Sequence, residues 1–278
     1  MKLISQNFSD MYEPNIEMKK FPDGDNYICL PEISDKTAVL YHRLYPEQDS
    51  AIMQAVLMLD TLKRKNIETT LVSPYFPYSR QDKTFKEGEA ISAEVVSNLL
   101  AYAGAKRVIT VDCHFLKKEG TLTYGGLEIV NKSANKLLVE HAKKLVGDVE
   151  VISPDMGASY LVEDFGGKSM EKKRGEYAEG ETAYRKIEEV KMDFEVKGKN
   201  ILILDDMIST GGTMFKAIEN VKKGGAAKVL CAATHGFFLK GSLEKLKESC
   251  DHVFVTDSIP SDVSDVSVKE LLDSSSSS

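Results

Sequence analysis

Residues 201–213 read ILILDDMISTGGT, an apolar run that delivers Asp205 and Asp206 to a string of Ser, Thr and Gly. The spacing predicts a strand that ends in a glycine-rich turn, followed by the first turn of a helix. Backbone N–H groups at a helix N-terminus form an anion site, which the hydroxyls of Ser209, Thr210 and Thr213 would extend while Gly211 and Gly212 permit the turn. A monophosphate fits such a loop. Two carboxylates cannot ligate a phosphate, so Asp205 and Asp206 are read either as acceptors for sugar hydroxyls or as holders of a metal-bound water. Phosphate loop and diol acceptors together describe a ribose 5-phosphate group. The other reading of the string is ordinary Asp and Ser/Thr capping of a helix.

Further polar clusters follow apolar, β-branched runs. SPYFPYSRQDK follows 69–72, DCH follows 107–111, SPD follows 149–152 and THG follows 228–233. In open parallel α/β sheets, ligands bind beyond the carboxyl ends of the strands, so these clusters are expected to line one or two active-site rims. In the first of them, Arg80 can pair in bidentate fashion with phosphate oxygens, Gln81 and Asp82 can hydrogen-bond sugar or phosphate, and Lys83 adds a point charge.

Positioning these residues requires alternating strands and helices. Strands are expected at 37–42, 69–74, 107–112, 149–154, 200–205, 228–233 and 252–257. Helices are expected after Ser50, where Ile52, Val56, Leu59 and Leu62 share a face, after Ser92, and at 133–146, 211–223 and 241–248. Crossovers of this length imply mainly parallel sheets. The chain has 278 residues, enough for two domains of roughly 130–140 residues. A division is placed near 126–132, giving residues 1–128 and 129–272, with LLDSSSSS leading into a disordered tail over 273–278.

The net charge of −7 argues against nucleic acid as the main partner. Four scattered cysteines without a CxxC spacing are expected to be reduced and mostly buried. No apolar run reaches the roughly 20 residues of a membrane helix, and MKLISQNFSDMYEP does not read as a signal peptide, so the expected location is the cytoplasm. GGKS at 166–169 resembles the end of a Walker A loop, but Val162 occupies the place of its first glycine.

With these motifs in this order, the sequence resembles the ribose-phosphate diphosphokinase (PRPP synthetase) family of the type I phosphoribosyltransferase-like fold, in its shorter, archaeal-type form. The resemblance runs from Phe21 to about His235. It implies two similar α/β domains, each a mainly parallel sheet flanked by helices, the first binding ATP and the second ribose 5-phosphate. It implies an ATP site of Arg80, Gln81, Asp82 and Lys83, completed by Phe21, Asp23, Gly24 and Asp25 of another subunit, hence a homo-oligomer. Asp25 stands where the family usually has Glu. Mg²⁺ is implied at His114 and Asp155, although hard cations prefer oxygen and the histidine is assigned by resemblance alone. In KSMEKKRGE, alignment on Lys-x-Arg makes Lys172 the catalytic lysine and Arg174 its partner, which also contacts ribose 5-phosphate; a one-residue shift would put Lys173 in that role. The polar stretch after Arg174 reads as a flexible lid. The implied reaction is diphosphoryl transfer from ATP to the 1-hydroxyl of ribose 5-phosphate. Competing readings are a phosphoribosyltransferase, which has no need of a paired SRQDK and Lys-x-Arg set, and a non-catalytic sensor, which should have lost catalytic positions.

Overall fold

The structure is a computed structural model that describes residues 1–177 and 185–276, with the backbone alone for 172–177, 185–191, 275 and 276. Two compact units form. The first comprises Met1–Ser133 and Val268–Ser278, the second Ala134–Ser267.

The first unit runs β1 (Lys2–Ile4), β2 (Glu17–Lys20), β3 (Asn26–Cys29), β4 (Thr37–Tyr41), α1 (Gln48–Arg64), β5 (Glu68–Val72), α2 (Ser92–Ala103), β6 (Ala105–Val111), β7 (Gly120–Tyr124) and β8 (Leu127–Lys132). Its sheet has the order β1-β4-β5-β6-β8-β7, with every pair parallel except β7–β8. Leu40, Leu71, Val108 and Ile129 from this sheet pack with Ile52, Leu59 and Leu62 of α1 and with Val96 and Leu100 of α2. Val56, on the α1 face expected from the sequence, is only partly buried there. β2 and β3 form a separate hairpin whose Met18 and Ile28 lean on that core.

The second unit holds α3 (Asn135–Val146), β9 (Glu150–Ser153), β10 (Lys168–Ser169), β11 (Glu171–Tyr177), β12 (Arg185–Lys191), β13 (Asn200–Ile208), α4 (Gly212–Lys223), β14 (Lys228–Gly236), α5 (Ser242–Ser249) and β15 (His252–Val255). Its parallel sheet has the order β10-β9-β13-β14-β15. The uninterrupted apolar runs of β13 and β14 arise because both faces are covered. Ile201, Ile203, Val229 and Cys231 enter one core layer, and Leu202, Leu204, Leu230 and Ala232 the other. α4 buries Met214, Ala217, Ile218 and Val221, a helical stripe, against the first of these.

Several boundaries differ from the sequence reading. β13 does not stop at residue 205 but runs through both aspartates to Ile208, because β14 continues beside it to Gly236. The stretch read as a lid carries an antiparallel β11–β12 ribbon; residues 178–184 lie outside the described residues. The chain end does not become tail at residue 273. A last helix, α6 (Lys269–Ser276), folds onto the first unit, where Asp273 accepts hydrogen bonds from Lys2 Nζ (2.7 Å), Tyr41 Oη (3.0 Å) and Lys269 Nζ (2.9 Å). Burial works against its charge, and these donors nonetheless hold its carboxyl below the usual carboxylate range. Residues 277 and 278 lie outside the described residues.

Candidate active site

In the second unit, β9 ends at Ser153, and Ile203 is the last β13 residue to pair with it, opposite Ile152. From there β13 overhangs β9, carrying Asp205 and Asp206 past the sheet's neighbouring edge while Asp205 stays paired with Ala233 of β14. Below the overhang, Ser153 Oγ donates to the Asp155 carbonyl (2.9 Å), and Asp155 caps a short 3-10 helix by accepting from Gly157 N–H (2.8 Å). Three carboxylates thus meet at one strand end. Desolvation, then the charge of Asp206, then that of Asp155 push the Asp205 carboxyl well above its ordinary range. Asp205 Oδ1 also accepts from the Asp206 backbone N–H (2.9 Å), while Asp206 is buried.

The loop beyond β13 is fixed from behind. The Ile208 carbonyl accepts from Phe237 N–H (2.9 Å), and the Ser209 carbonyl accepts from Leu239 N–H (2.9 Å) and Ser242 Oγ (3.2 Å). Thr210 is exposed and Gly211 takes φ +77°, the left-handed region. A Cβ there would come 2.7 Å from the Phe215 ring. Gly212 and Thr213 open α4, so Ser209–Thr213 have the form that holds an anion at a helix N-terminus. At the end of β14, Ser258 Oγ donates to the Thr234 carbonyl (2.8 Å) and accordingly accepts from His235 Nδ1 (2.9 Å), which fixes that buried ring.

In the first unit, Arg80 and Lys83 are exposed on the loop after β5, with Gln81 and Asp82 half-buried. Two contacts that spacing does not reveal shape this loop. Glu89 accepts from Phe85 N–H (2.8 Å), Lys86 N–H (3.0 Å) and Gln81 Nε2 (3.2 Å), and those backbone donors hold its carboxyl below the ordinary value. Tyr124 Oη donates to the Asp82 carbonyl (3.0 Å), and its ring lies 4.7 Å from that of Phe115, which in turn meets Phe76 edge-on at 6.2 Å. Phe115 follows His114 directly, so one aromatic row joins the Arg80 loop to the His114 loop. Asp112, two residues before His114, is buried with φ +40°, a strained conformation of the kind that gathers at functional loops.

Phe21 is 51% exposed at the β2–β3 hairpin, edge-on to Tyr27. Its N–H donates to the Asp25 carbonyl (2.8 Å), Asp23 accepts from Asp25 N–H (3.2 Å), and Gly24 makes the turn at φ +97°. Lys172, Lys173 and Arg174 lie on β11, with their side chains outside the described residues. Among the described residues no three His, Cys, Asp or Glu side chains form a metal cage. A carboxylate such as that of Asp155 nevertheless has the hard oxygen chemistry that a divalent cation prefers, with substrate oxygens and water to complete its shell.

Comparison with known proteins covers both halves of the chain. The N-terminal domain of ribose phosphate pyrophosphokinase matches residues 4–104, and the phosphoribosyl transferase domain matches residues 121–271. The ribose-phosphate pyrophosphokinase of Thermococcus kodakarensis is 38% identical over 263 residues, covering 92% of this chain and 90% of that one. That of Pyrococcus furiosus is 38% identical over 259 residues, covering 91% and 89%. The crystal structure of phosphoribosylpyrophosphate synthetase from Mycobacterium smegmatis superposes with a TM-score of 0.76 at 25% identity, covering 99% of this chain and 96% of that one.

Proposed function

From the membership of this chain in the ribose-phosphate pyrophosphokinase family, we infer that it makes PRPP and AMP by transferring the β,γ-diphosphoryl group of ATP to the 1-hydroxyl of ribose 5-phosphate. The observation that carries the reading is the pairing of a left-handed-glycine phosphate loop at 209–213 with the Asp205–Asp206 carboxylates on one strand end.

In this reading Ser209–Thr213 hold the 5-phosphate through backbone N–H groups and hydroxyls. Asp205 and Asp206 accept hydrogen bonds from the ribose hydroxyls and so orient the sugar. Arg80 and Lys83 neutralise ATP phosphate charge while Gln81 and Asp82 hydrogen-bond the nucleotide, on a loop shaped by Glu89 and Tyr124. Displacement at the β-phosphorus is then a matter of positioning and charge neutralisation. Lys172 and Arg174 stabilise the negative charge that develops on the transferring group, and Arg174 also contacts ribose 5-phosphate.

In the first unit His114, and in the second unit Asp155, would each serve as a Mg²⁺ ligand. When bound, the ion supplies Lewis-acid neutralisation of phosphate oxygens. The exposed Phe21, with Asp23, Gly24 and Asp25 around it, is free on its own hairpin to stack on an adenine bound by another copy, which makes a homo-oligomer the active form. A cytoplasmic location agrees with four free cysteines. Among the described residues, no helix is long and apolar enough to cross a membrane.

The test mixes purified protein with ATP, Mg²⁺ and ribose 5-phosphate and follows AMP and PRPP. AMP that appears only with ribose 5-phosphate and in step with PRPP is the expected result. ATP left intact while both substrates bind would reject it. Light scattering on the active sample tests the assembly, and an active monomer would remove the role of Phe21.

A further inference from the structure

In the first unit, the parallel order β4-β5-β6 sends two successive crossovers over the same face of the sheet, so α1 and α2 lie side by side. Their C-terminal ends are joined by Lys63, whose Nζ donates to the Tyr102 carbonyl (2.6 Å) and sits 4.9 Å from the centre of the Tyr102 ring. Both helices bury an apolar stripe in the sheet core, and a surface helix of this kind carries polar residues on its other face. Here the outer face is apolar too. α1 exposes Met53 (50%) and Leu57, and α2 exposes Val95 (61%), Leu99 and Tyr102 (81%). Val95, Leu99 and Tyr102 are four and then three positions apart, on one side of α2. That side is turned to α1, because Glu94, Ser97 and Asn98 occupy the flank beside Gly125 and Gly126 of the β7–β8 turn. On α1 the flank that meets α2 carries the partly buried Val56 and, seven positions on, Lys63, which touches Gly104 just past α2. The exposed apolar side chains of the two helices therefore form one continuous patch.

The two ends of this patch carry opposite charge. Glu47 and Asp49 lie at the start of α1 and Glu94 in the first turn of α2. Lys63 and Arg64 close α1 and Lys65 follows them, with Asp60 offsetting Arg64 (2.6 Å). A two-fold axis perpendicular to the helices lays such a surface against itself in the reverse direction. The apolar centres then coincide, and the basic end of each copy lies over the acidic end of the other. A two-fold axis along the helices would instead set like charges opposite one another. Burial of the apolar centre supplies the affinity, and the exposed charges select the orientation.

We propose that the α1–α2 face is a self-association surface, on which a second copy of this chain docks antiparallel about a two-fold axis. Leu57 and Leu99, midway along their helices, lie near the axis, and Tyr102 of each copy covers Met53 and Val95 of the other. The surface adjoins the hairpin that carries Phe21, since Gln54 Nε2 on the far flank of α1 donates to Asn26 Oδ1 of β3 (2.9 Å). This association rests on the homo-oligomer reading only in needing a second copy. It needs no substrate, so it is measured apart from PRPP formation.

Sedimentation velocity on the full chain without substrates, over a dilution series, reads the assembly. The wild type is expected to run as a dimer or a multiple of one. Leu99→Glu, which would enclose its charge twice in each dimer, should raise the dissociation constant by about a hundredfold or more. Its melting temperature should stay at the wild-type value, because the side chain is exposed in the single chain. Lys65→Glu and Glu94→Lys should each weaken assembly, and the two together should restore it, a recovery that requires opposite charges to face each other. This exchange decides the matter even if Leu99→Glu fails to fold. A wild-type monomer throughout, leaving the face to a different protein, would overturn the proposal. An assembly that Leu99→Glu leaves at wild-type strength, or charge reversals without effect, would do the same.

Discussion

Asp155, capping the short helix after β9, adds its charge to the repulsion that the neighbouring Asp206 exerts on Asp205. The carboxylates are brought to one strand end by β13 overrunning β9, and without a cation or sugar hydroxyls they disfavour one another. Loss of one charge should therefore stabilise the unliganded chain and weaken the liganded one. The folded-state proton affinity of Asp205 is raised above the unfolded value of about 3.9. Its contribution to stability is present below that value and is lost as pH rises through the folded one. Asp205→Asn should flatten this dependence and raise the melting temperature at neutral pH without ligand. It should also weaken ribose 5-phosphate binding about tenfold or more, since a hydrogen bond to a charged acceptor is worth about 1.5–3 kcal/mol. Melting curves between acid and neutral pH, paired with calorimetry, check both signs; a variant no more stable than wild type at neutral pH would contradict the crowding.

Gly211→Ala tests the loop backbone. The left-handed φ costs a residue with a Cβ about 1–2 kcal/mol, and the new atom would meet the Phe215 ring at 2.7 Å. Denaturant unfolding should show that loss, and the KM for ribose 5-phosphate should rise by about tenfold or more, with the KM for ATP much less affected. Equal effects on both substrates would show that the substitution acts through general destabilisation.

Glu89→Ala removes the acceptor for two backbone N–H groups and Gln81. Its carboxyl is held below the ordinary value, so it organises the loop at neutral pH and releases it as pH falls through the folded-state pKa. We expect the KM for ATP to rise by about tenfold at neutral pH while the melting temperature barely moves. Glu89→Gln, which keeps one acceptor oxygen, should recover part of the loss. Wild-type KM for ATP in Glu89→Ala would remove the residue from the site.

Lys172→Ala should lower turnover by about 10²–10³-fold, the scale of a lost charge-stabilising donor, with ATP binding by calorimetry largely intact. Lys173→Ala, measured alongside, fixes which lysine acts: the larger loss identifies the catalytic one, and full turnover in both would reject the assignment.

How far the sequence revealed this arrangement depends on the range of the forces involved. The seven strands expected from apolar runs all form, because runs such as ILIL in β13 are buried on both faces and carry their own signal. The last turn of β13 was hidden: Asp205 and Asp206 break the apolar pattern, and only pairing with β14 keeps the strand going. The β2–β3 hairpin was hidden too, its faces being largely exposed and its attachment resting on contacts such as Gln54 Nε2 to Asn26 Oδ1 (2.9 Å). Candidate residues lying within one motif, such as Ser209–Thr213, are kept together by the chain itself. Tyr124 could not be read from the sequence, since it reaches Asp82 across 42 positions with nothing in the intervening sequence to mark it.

Helix α6 belongs to the first unit although it is the last element of the chain. The second unit is therefore an insertion, and the first is assembled from segments on either side of it. During synthesis from the N-terminus, every residue of the second unit has been made while the first still lacks Lys269 and Asp273. The unit that begins first is thus completed last, and Lys2 waits until the second unit has been made for its counter-charge. Removing the residues from Val268 onward would perturb the first unit rather than the second, which immediately precedes the cut.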